Sequence, residues 1–326
     1  MTKLFFRLLV ASATHGPHVF HRFLLRLRNL IVRLVNPTVN WQIGAHRCEI
    51  PLGHDLPLVL ARHPQYSGFI VRVAEWIAPR VADLTCVDVG ANIGDTALML
   101  HERVKCPVLC IEGNPSYASL LRRNVSTLAG VEIVEILLGE IHNQVSVRLV
   151  ASQGSCVVVE DAQATALRTE TLDDVVSARP RFQNAKLLKI DTDGFDLAIL
   201  RGASAFLTHA KPVVIFEYDP HHLRRVSEDG LTVFPYLRGH GYTFALFYDN
   251  IGDLMLGVDL NQTEILVGLH EYFCGCLGSR YADICVFHGD DAALAAGFHA
   301  AERAWFAPLR RLSAAPEDGA SRNEST

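Results

Sequence analysis

The 326-residue sequence lacks several features that would assign it to a class at once. It has no run of about 18 uninterrupted apolar residues, so a membrane-spanning helix is not expected. It also has no paired zinc-ligand spacing. Its eight cysteines are spread along a chain rich in core residues, and Cys274-Gly-Cys276 is the only tight pair. A formal net charge of −5 argues against a nucleic-acid partner.

Acidic residues are absent from residues 1–48, which hold seven Lys and Arg residues, whereas the rest of the chain carries 23 bases and 35 acids. Residues 18–35 of this basic leader predict an amphipathic helix. Two interpretations of the helix stay open: it lies on an anionic membrane surface, or it packs on the body of the protein or on a second subunit. The arginines on its polar side are Arg22, Arg26 and Arg33, and its apolar residues are Phe20, Phe23, Leu24, Leu27, Leu30, Ile31 and Leu34.

Targeting features favour the cytoplasm. Arg7 interrupts the apolar run over residues 4–10, which is already short for a signal peptide. Cys86, Cys110 and Cys285 fall inside apolar runs and are expected to be buried thiols, which suits a reducing compartment. The expected location is cytoplasmic, with peripheral contact at the inner face of the membrane if the leader binds lipid.

From residue 84 onward, short apolar runs alternate with helical patterns, which predicts a mostly parallel sheet with helices on both faces. We expect an α/β domain over residues 85–290, preceded by the leader (1–48) and a helical lead-in (49–84). A C-terminal helix and a frayed tail follow over 291–326. Residues 144–160 alternate and predict a hairpin at an edge or over the site, and residues 195–207 predict one crossover helix.

A glycine-containing loop, Asp88-Val89-Gly90-Ala91-Asn92-Ile93-Gly94, follows a predicted strand and opens a helix. Such loops present backbone amides at a helix N-terminus. The dinucleotide pattern Gly-x-Gly-x-x-Gly fails, because Asn92 and Asp95 occupy its second and third glycine positions, and no Gly-Lys-Ser/Thr is present.

Two acids near this loop favour another nucleoside-containing cofactor. Glu112 ends the second strand, 22 residues after Gly90, where an acid commonly accepts hydrogen bonds from ribose hydroxyls. The charge of Asp88 would repel pyrophosphate and suits an ammonium or sulfonium group. The pair points to S-adenosylmethionine over NAD. The alternative for Asp88 is an N-terminal cap of the next helix.

Five motifs in order resemble the FkbM-type family of S-adenosylmethionine-dependent methyltransferases over roughly residues 85–290. The motifs are residues 87–94, Ile111-Glu112-Gly113-Asn114-Pro115, Thr171-Leu172-Asp173-Asp174, residues 188–196 with Leu200-Arg201-Gly202-Ala203, and residues 212–217. The resemblance implies a class I methyltransferase (Rossmann-like) fold, a seven-stranded sheet in the order 3-2-1-4-5-7-6, and methylation of hydroxyl oxygens. Two positions depart from the family: Gly113 stands where Pro is usual, and Asp193 where Glu is usual.

The family's strand order places the acids that follow strands one, four and five at one crevice. We expect Asp191 to be the base that accepts the hydroxyl proton, with Asp193 and Glu217 as the next candidates. Alternatives are that Asp191 and Asp193 cap the following helix or hold a divalent cation, and that Glu217 only accepts hydrogen bonds. No metal site is predicted. The expected cofactor-binding residues are Asp88, Gly90, Asn92, Gly94, Glu112 and Asn114.

Acceptor recognition is less defined by the sequence. Tyr218, His221, Tyr248 and the predicted hairpin are candidates for the acceptor side, while His221 and His222 are interpreted mainly as exposed loop residues. The favoured function is O-methylation of a hydroxyl, of a saccharide or glycolipid. The alternatives are a nitrogen or secondary-metabolite acceptor, and an inactive methyltransferase-like binding module. The oligomeric state is not predicted.

Overall fold

The computed structural model describes residues 2–15, 17–160 and 166–313. The strands are β1 (Thr38–Ile43), β2 (His46–Pro51), β3 (Cys86–Val89), β4 (Val108–Ile111), β5 (Val131–Val134), β6 (Leu137–Leu138), β7 (Asn143–Ser152), β8 (Ser155–Glu160), β9 (Ala166–Glu170), β10 (Leu187–Ile190), β11 (Val213–Tyr218), β12 (Tyr242–Asp249), β13 (Leu254–Asp259) and β14 (Ala282–His288).

The helices are α1 (Thr2–His15), α2 (His18–Leu34), α3 (Leu56–Arg62), α4 (Gly68–Ile77), α5 (Asp95–Arg103), α6 (Pro115–Val125), α7 (Leu172–Ser177), α8 (Asp196–Arg201), α9 (Ser204–Ala210), α10 (Pro220–Arg225), α11 (Val233–Gly239), α12 (Thr263–Gly275) and α13 (Ala292–Ser313). None of the helices described is both long and apolar enough to cross a membrane.

The central sheet confirms the predicted α/β class I architecture. Its order is β13-β12-β14-β11-β10-β3-β4-β5, which contains the expected 3-2-1-4-5-7-6 arrangement. The strands β5, β4, β3, β10 and β11 pair in parallel, and β14 pairs antiparallel with both β11 and β12. The core strands are buried on both faces, as their continuous apolar runs require.

The sheet has eight strands, so the expected count of seven was wrong. The eighth strand, β13, pairs antiparallel with β12 at the sheet edge. A tight turn makes this possible: Asp249 Oδ1 accepts hydrogen bonds from the amides of Ile251 and Asp253, and Gly252 adopts a φ of 92°. The sequence between the predicted strands therefore folds back as a hairpin.

The predicted hairpin over residues 144–160 is present as β7 and β8, paired from Val147–Glu160 to Ser152–Ser155. It extends a small sheet of order β6-β9-β7-β8. The tip, residues 153–156, lies at the mouth of the cleft described below.

One predicted crossover helix is two helices. We expected a single helix over residues 195–207, but α8 ends at Arg201 and α9 begins at Ser204. Gly202 packs so closely on the carbonyl of Gly139 that an added Cβ would lie 2.3 Å from it. The carboxylate of Asp173 accepts hydrogen bonds from the amides of Ala205 and Phe206, which starts the second helix.

The leader begins with two helices, α1 and α2, but it is not helical to residue 48. Residues 38–51 form the β1–β2 hairpin, whose inward positions Val39, Ile43, Cys48 and Ile50 are buried. The lead-in likewise begins with the end of β2. At the other terminus, α13 is the expected C-terminal helix. Of the tail predicted over 313–326, Ser313 is instead the last residue of α13, and 314–326 lie outside the described residues.

Candidate active site

A cleft of about 1250 Å³ opens at the carboxyl ends of β3, β4, β10 and β11. This is where ligands bind in doubly wound sheets. The glycine loop forms one side of the cleft, and the residues that follow β10 and β11 form the other. Its lining includes the sequence-predicted residues Gly90, Asn92, Glu112, Asn114, Asp191, Asp193 and Glu217.

Gly90 and Gly94 shape the glycine loop for different reasons. Both have positive φ, 74° and 88°. A Cβ on Gly90 would lie 1.9 Å from the carbonyl oxygen of Asp191, so the glycine lets the loop approach β10. A Cβ on Gly94 would lie 2.7 Å from Leu121 Cδ1, so this glycine lets α5 pack on α6.

Four backbone amides of the loop are not the free donors that we expected. The amides of Gly90 and Ala91 both donate to the carbonyl of Ile111, and the amide of Gly94 donates to that of Ala91. The amide of Asn92 donates to Glu112 Oε2 at 2.8 Å. These hydrogen bonds hold the loop against β4.

Glu112 and Asn114 carry structural hydrogen bonds. The other carboxylate oxygen of Glu112 accepts from the amide of Asn114 at 2.7 Å. Each Glu112 oxygen keeps a second lone pair, so acceptance from ribose hydroxyls stays chemically open. Asn114 caps α6 through Oδ1, and its Nδ2 donates to Cys156 Sγ. Burial raises the pKa of Glu112, and the two amides oppose that rise.

Asp88 is buried beside Lys189, its cross-strand neighbour on β10. Lys189 Nζ lies 3.3 Å from Asp88 Oδ1 and 3.3 Å from Asp191 Oδ2. Burial lowers the pKa of Lys189, but Asp88 and Asp191 outweigh it and hold the pKa well above its ordinary value. Lys189 therefore balances two of the predicted site acids, and Asp88 does not serve as a helix cap.

On the opposite side, the structure brings Asp193 and Glu217 together with His222. His222 Nδ1 lies 4.0 Å from Asp193 Oδ1 and 3.7 Å from Glu217 Oε1, and within the described part of the chain this nitrogen has no hydrogen-bond partner. His222 sits on α10, partly buried, so its interpretation as an exposed loop residue was wrong. Its position two residues into a helix that follows β11 is the signal that could have identified it.

This acid-rich side has raised carboxyl pKa values. Burial raises the pKa of Glu217 well above its usual range, and the charges of Asp191 and Asp196 add to the rise. Burial and Asp191 raise the pKa of Asp283 to about 8 and that of Asp196 to about 7. Asp196 accepts from the Thr192 hydroxyl, which fixes the turn between β10 and α8. Neither Asp191 nor Asp193 caps α8.

Two predicted acceptor residues lie elsewhere. Tyr218 is in the core and bonds to His270, and Tyr248 is in the core and bonds to Glu302. Their positions on β11 and β12 point them away from the cleft. His221 is exposed, as its alternative interpretation held, and it does not line the cleft.

The tip of the β7–β8 hairpin covers the glycine loop, which is one of the two positions expected for the hairpin over residues 144–160. The amide of Cys156 donates to Asp193 Oδ2 at 3.0 Å, and Asn92 Nδ2 donates to the carbonyl of Gly154. His54, from the lead-in, packs against Gly154, and burial lowers its pKa to about 4. The tip therefore joins the two sides of the cleft.

The residues present fit a cationic nucleoside cofactor. Asp88 Oδ2 is a buried acceptor that has no hydrogen-bond partner among the described residues, although Asp88 itself does not line the cleft. Unsatisfied buried acceptors are costly, and donors such as an ammonium group would satisfy them. A separate set of residues could hold a metal ion. Asp193, Glu217 and His222 each offer one ligand atom, and these atoms all lie within 4.8 Å of one another.

The family described as "Methyltransferase FkbM domain" matches residues 88–244. A search of curated proteins found no match. Among solved structures, the methyltransferase FkbM from Methylobacillus flagellatus KT aligns at 17% identity and a TM-score of 0.37, covering 58% of this chain and 49% of that chain. The aligned part thus spans about half of that protein's length.

An O-methyltransferase from Bacillus cereus aligns at 12% identity and a TM-score of 0.39, covering 81% of this chain and 97% of that chain. The family match agrees with the motifs and with the cleft that they form. Residues 88–244 therefore form a domain of the FkbM family of S-adenosylmethionine-dependent methyltransferases.

Proposed function

We propose that this enzyme methylates a hydroxyl oxygen of a saccharide, free or lipid-linked. The observation that carries the proposal is the group formed by Asp193, Glu217 and His222, which faces the glycine loop across one cleft. An alcohol is a poor nucleophile while it keeps its proton, so a positioned proton acceptor is the main chemical requirement of O-methylation.

The cofactor-binding role belongs to the glycine-loop side. Asp88 and Asn92 would accept hydrogen bonds from the amino-acid part of S-adenosylmethionine, and Glu112 from its ribose. Gly90 and Gly94 would allow the close approach of loop and helix. When bound, the cofactor supplies an electrophilic methyl group on a sulfonium. The carboxylates of this cleft suit that positive charge.

Proton acceptance belongs to the acid-rich side. Burial makes the ionised Glu217 carboxylate a stronger base than an exposed one, and His222 lies beside it. Asp193 is held by the Cys156 amide and is placed to orient the acceptor. Asp191 is half exposed, and its carboxylate is paired with Lys189, which also contacts Asp88. Asp191 would therefore orient charge in the cleft, and Glu217 would take the base role that the sequence favoured for Asp191.

A saccharide acceptor suits the polarity of the cleft. Hydroxyl groups donate hydrogen bonds to carboxylates and backbone carbonyls, and the acid-rich side offers both. Free cysteines over all eight positions suit a cytoplasmic location. We include in the proposal a peripheral contact with the membrane through residues 18–35, which would bring a lipid-linked saccharide to the cleft.

The test is transfer of a radiolabelled methyl group from S-adenosylmethionine to a panel of neutral oligosaccharides, detergent-dispersed glycolipids and amines. We expect product with a saccharide hydroxyl, and its loss in Glu217→Gln. Glu264→Gln, which alters an exposed acid at the start of α12, is the matched control. Methylation confined to amines would overturn the hydroxyl proposal, and donor binding without turnover on any acceptor would favour a binding module.

A further inference from the structure

Exposed apolar side chains are concentrated in the first two helices. Of the fifteen large apolar side chains that are exposed in the described chain, eight lie within residues 4–35. They are Leu4, Leu8, Val19, Phe20, Phe23, Leu30, Leu34 and Val35. Single exposed apolar residues are ordinary, but a cluster of this size marks an interaction surface.

Helix α2 has two apolar sides, and the protein covers only one. His21, Leu24 and Arg28 face inward at spacings of three and four residues, and Ile31 packs on the core beside them. Val19, Phe23, Leu30 and Leu34 recur at spacings of four, seven and four, so they form one stripe on the outward side. Phe23 is 60% exposed and Leu34 is 73% exposed. Packing on the body therefore does not account for the stripe.

Basic residues border this stripe. Arg22, Arg26 and Arg33 are exposed and fall along one edge of it. Helix α1 repeats the pattern, with Leu4 and Leu8 exposed beside Lys3 and Arg7. The first acid of the chain is Glu49. A second copy of this chain would bring like charges against one another, whereas anionic lipid headgroups would complement them.

We propose that the outward faces of α1 and α2 dock on an anionic lipid bilayer, with the apolar stripe in the interface and the arginines at the headgroups. This inference names the surface and the lipid charge for the membrane contact proposed above. Only its link to a lipid-linked acceptor rests on the proposed function. A basic amphipathic helix binds in this way through buried apolar area plus electrostatic attraction.

The docking surface is attached firmly to the active-site cleft. Buried Arg28 on α2 donates to the carbonyls of Leu52 and Gly53 and pairs with Asp55 at 2.6 Å. The adjoining His54 and Asp55 line the cleft. The amide of Asp55 donates to the carbonyl of Gln153 in the hairpin tip. Docking would therefore fix the cleft relative to the bilayer.

The experiment is vesicle flotation of the full chain. Vesicles of phosphatidylcholine are compared with vesicles that also contain phosphatidylglycerol. We expect flotation with the anionic vesicles, little with the neutral ones, and a decrease at high salt. The triple variant R22Q/R26Q/R33Q should weaken the partition coefficient by about fivefold for each arginine lost.

The variant F23E/L30E should abolish flotation, because it places charge in the stripe without touching the packed face. Ile265→Glu changes an exposed apolar residue on α12 and should float like the wild type. Equal flotation of F23E/L30E and wild type, or no flotation of the wild type, would overturn the inference. So would a wild-type dimer in size-exclusion light scattering that F23E/L30E makes monomeric. Cofactor binding, measured by calorimetry, reports separately on the proposed methyltransferase function.

Discussion

On the glycine-loop side of the cleft, most polar groups are bound by the protein itself, whereas on the acid-rich side carboxylates face one another with few donors. The amides of Gly90, Ala91, Asn92 and Gly94 donate within the protein, and each oxygen of Glu112 accepts from a backbone amide. Across the cleft, Glu217 is 9% exposed, and Nδ1 of His222 lies 3.7 Å from its Oε1.

The difference indicates how each side works. A pre-formed loop needs only a few free acceptors to select its ligand, because its shape is already fixed. Buried carboxylates that lie close together have raised pKa values, so each is a stronger base when it is ionised. In the function that we propose, the glycine-loop side positions the cofactor and the acid-rich side accepts the proton.

The largest expected effect would come from the acid-rich side. Glu217→Gln keeps the size of the side chain but removes the proposed proton acceptor. We expect the rate of methyl transfer to fall by about 10² to 10⁴-fold, as for the loss of general-base catalysis. The dissociation constant for S-adenosylmethionine should change by less than about threefold. A large loss of cofactor affinity with an unchanged rate would contradict this division of the cleft.

Gly90→Ala should distort the glycine loop. The new methyl group would meet the Asp191 carbonyl, and the residue would be strained at positive φ. We expect the free energy of unfolding to fall by about 3 kcal/mol, and cofactor binding to be lost. Calorimetric unfolding and ligand titration measure the two effects.

A matched control for Gly90→Ala is Gly268→Ala in the middle of α12. An added Cβ there meets nothing within 4 Å. This exchange should raise the free energy of unfolding by about 0.5–1 kcal/mol, because alanine favours a helix. Equal effects of the two substitutions would contradict the close approach at Gly90.

The raised carboxyl pKa values of the acid-rich side should make the stability of the protein depend on pH. Asp283 and Asp196 have folded-state pKa values raised to about 8 and about 7, so the folded protein binds protons more tightly than the unfolded chain. Their contribution is fully present below about pH 4 and is lost as the pH rises through 7 to 8. We expect Tm to fall between pH 5 and pH 9, and Asp283→Asn to flatten that fall. A wild-type Tm that falls no more steeply between pH 5 and pH 9 than that of Asp283→Asn would contradict the raised pKa of this buried acid.

The smallest expected effect is that of metal removal. We propose that Glu217 and His222 act in proton transfer and that Asp193 orients the acceptor, and the sequence predicts no metal site. Dialysis against a chelator should therefore change the methyl-transfer rate by less than about twofold. A loss that added Mg²⁺ or Mn²⁺ restores would assign the three residues to a metal ion.

Much of the cofactor side could be predicted from the sequence, because its residues are contiguous. The run from Asp88 to Gly94 marks both the strand end and the helix start, and Glu112 ends the next strand. The central strand order followed from the motif series. The free amides expected of the loop were not found, since Ile111 and Glu112, which are distant in the sequence, accept their hydrogen bonds.

The acceptor side depended on contacts that the sequence does not display. His222 lies on α10, which is only six residues long and has no clear apolar pattern. The sequence therefore gives little sign that this side chain is partly buried. Tyr218 and Tyr248 were placed at the site, although side chains on a strand alternate between faces. The hairpin tip reaches Asp193 across 37 positions in the chain. Such contacts follow from topology.

The most direct test of the account is calorimetric titration with S-adenosylmethionine and S-adenosylhomocysteine, comparing the wild type with Asp88→Asn. Asp83→Asn, an exposed acid just before β3, is the control. We predict micromolar binding of both ligands to the wild type and the control, and an affinity for S-adenosylmethionine about 10 to 100-fold weaker in Asp88→Asn. Absence of binding to the folded wild type, or unchanged affinity in Asp88→Asn, would contradict the assignment of this cleft.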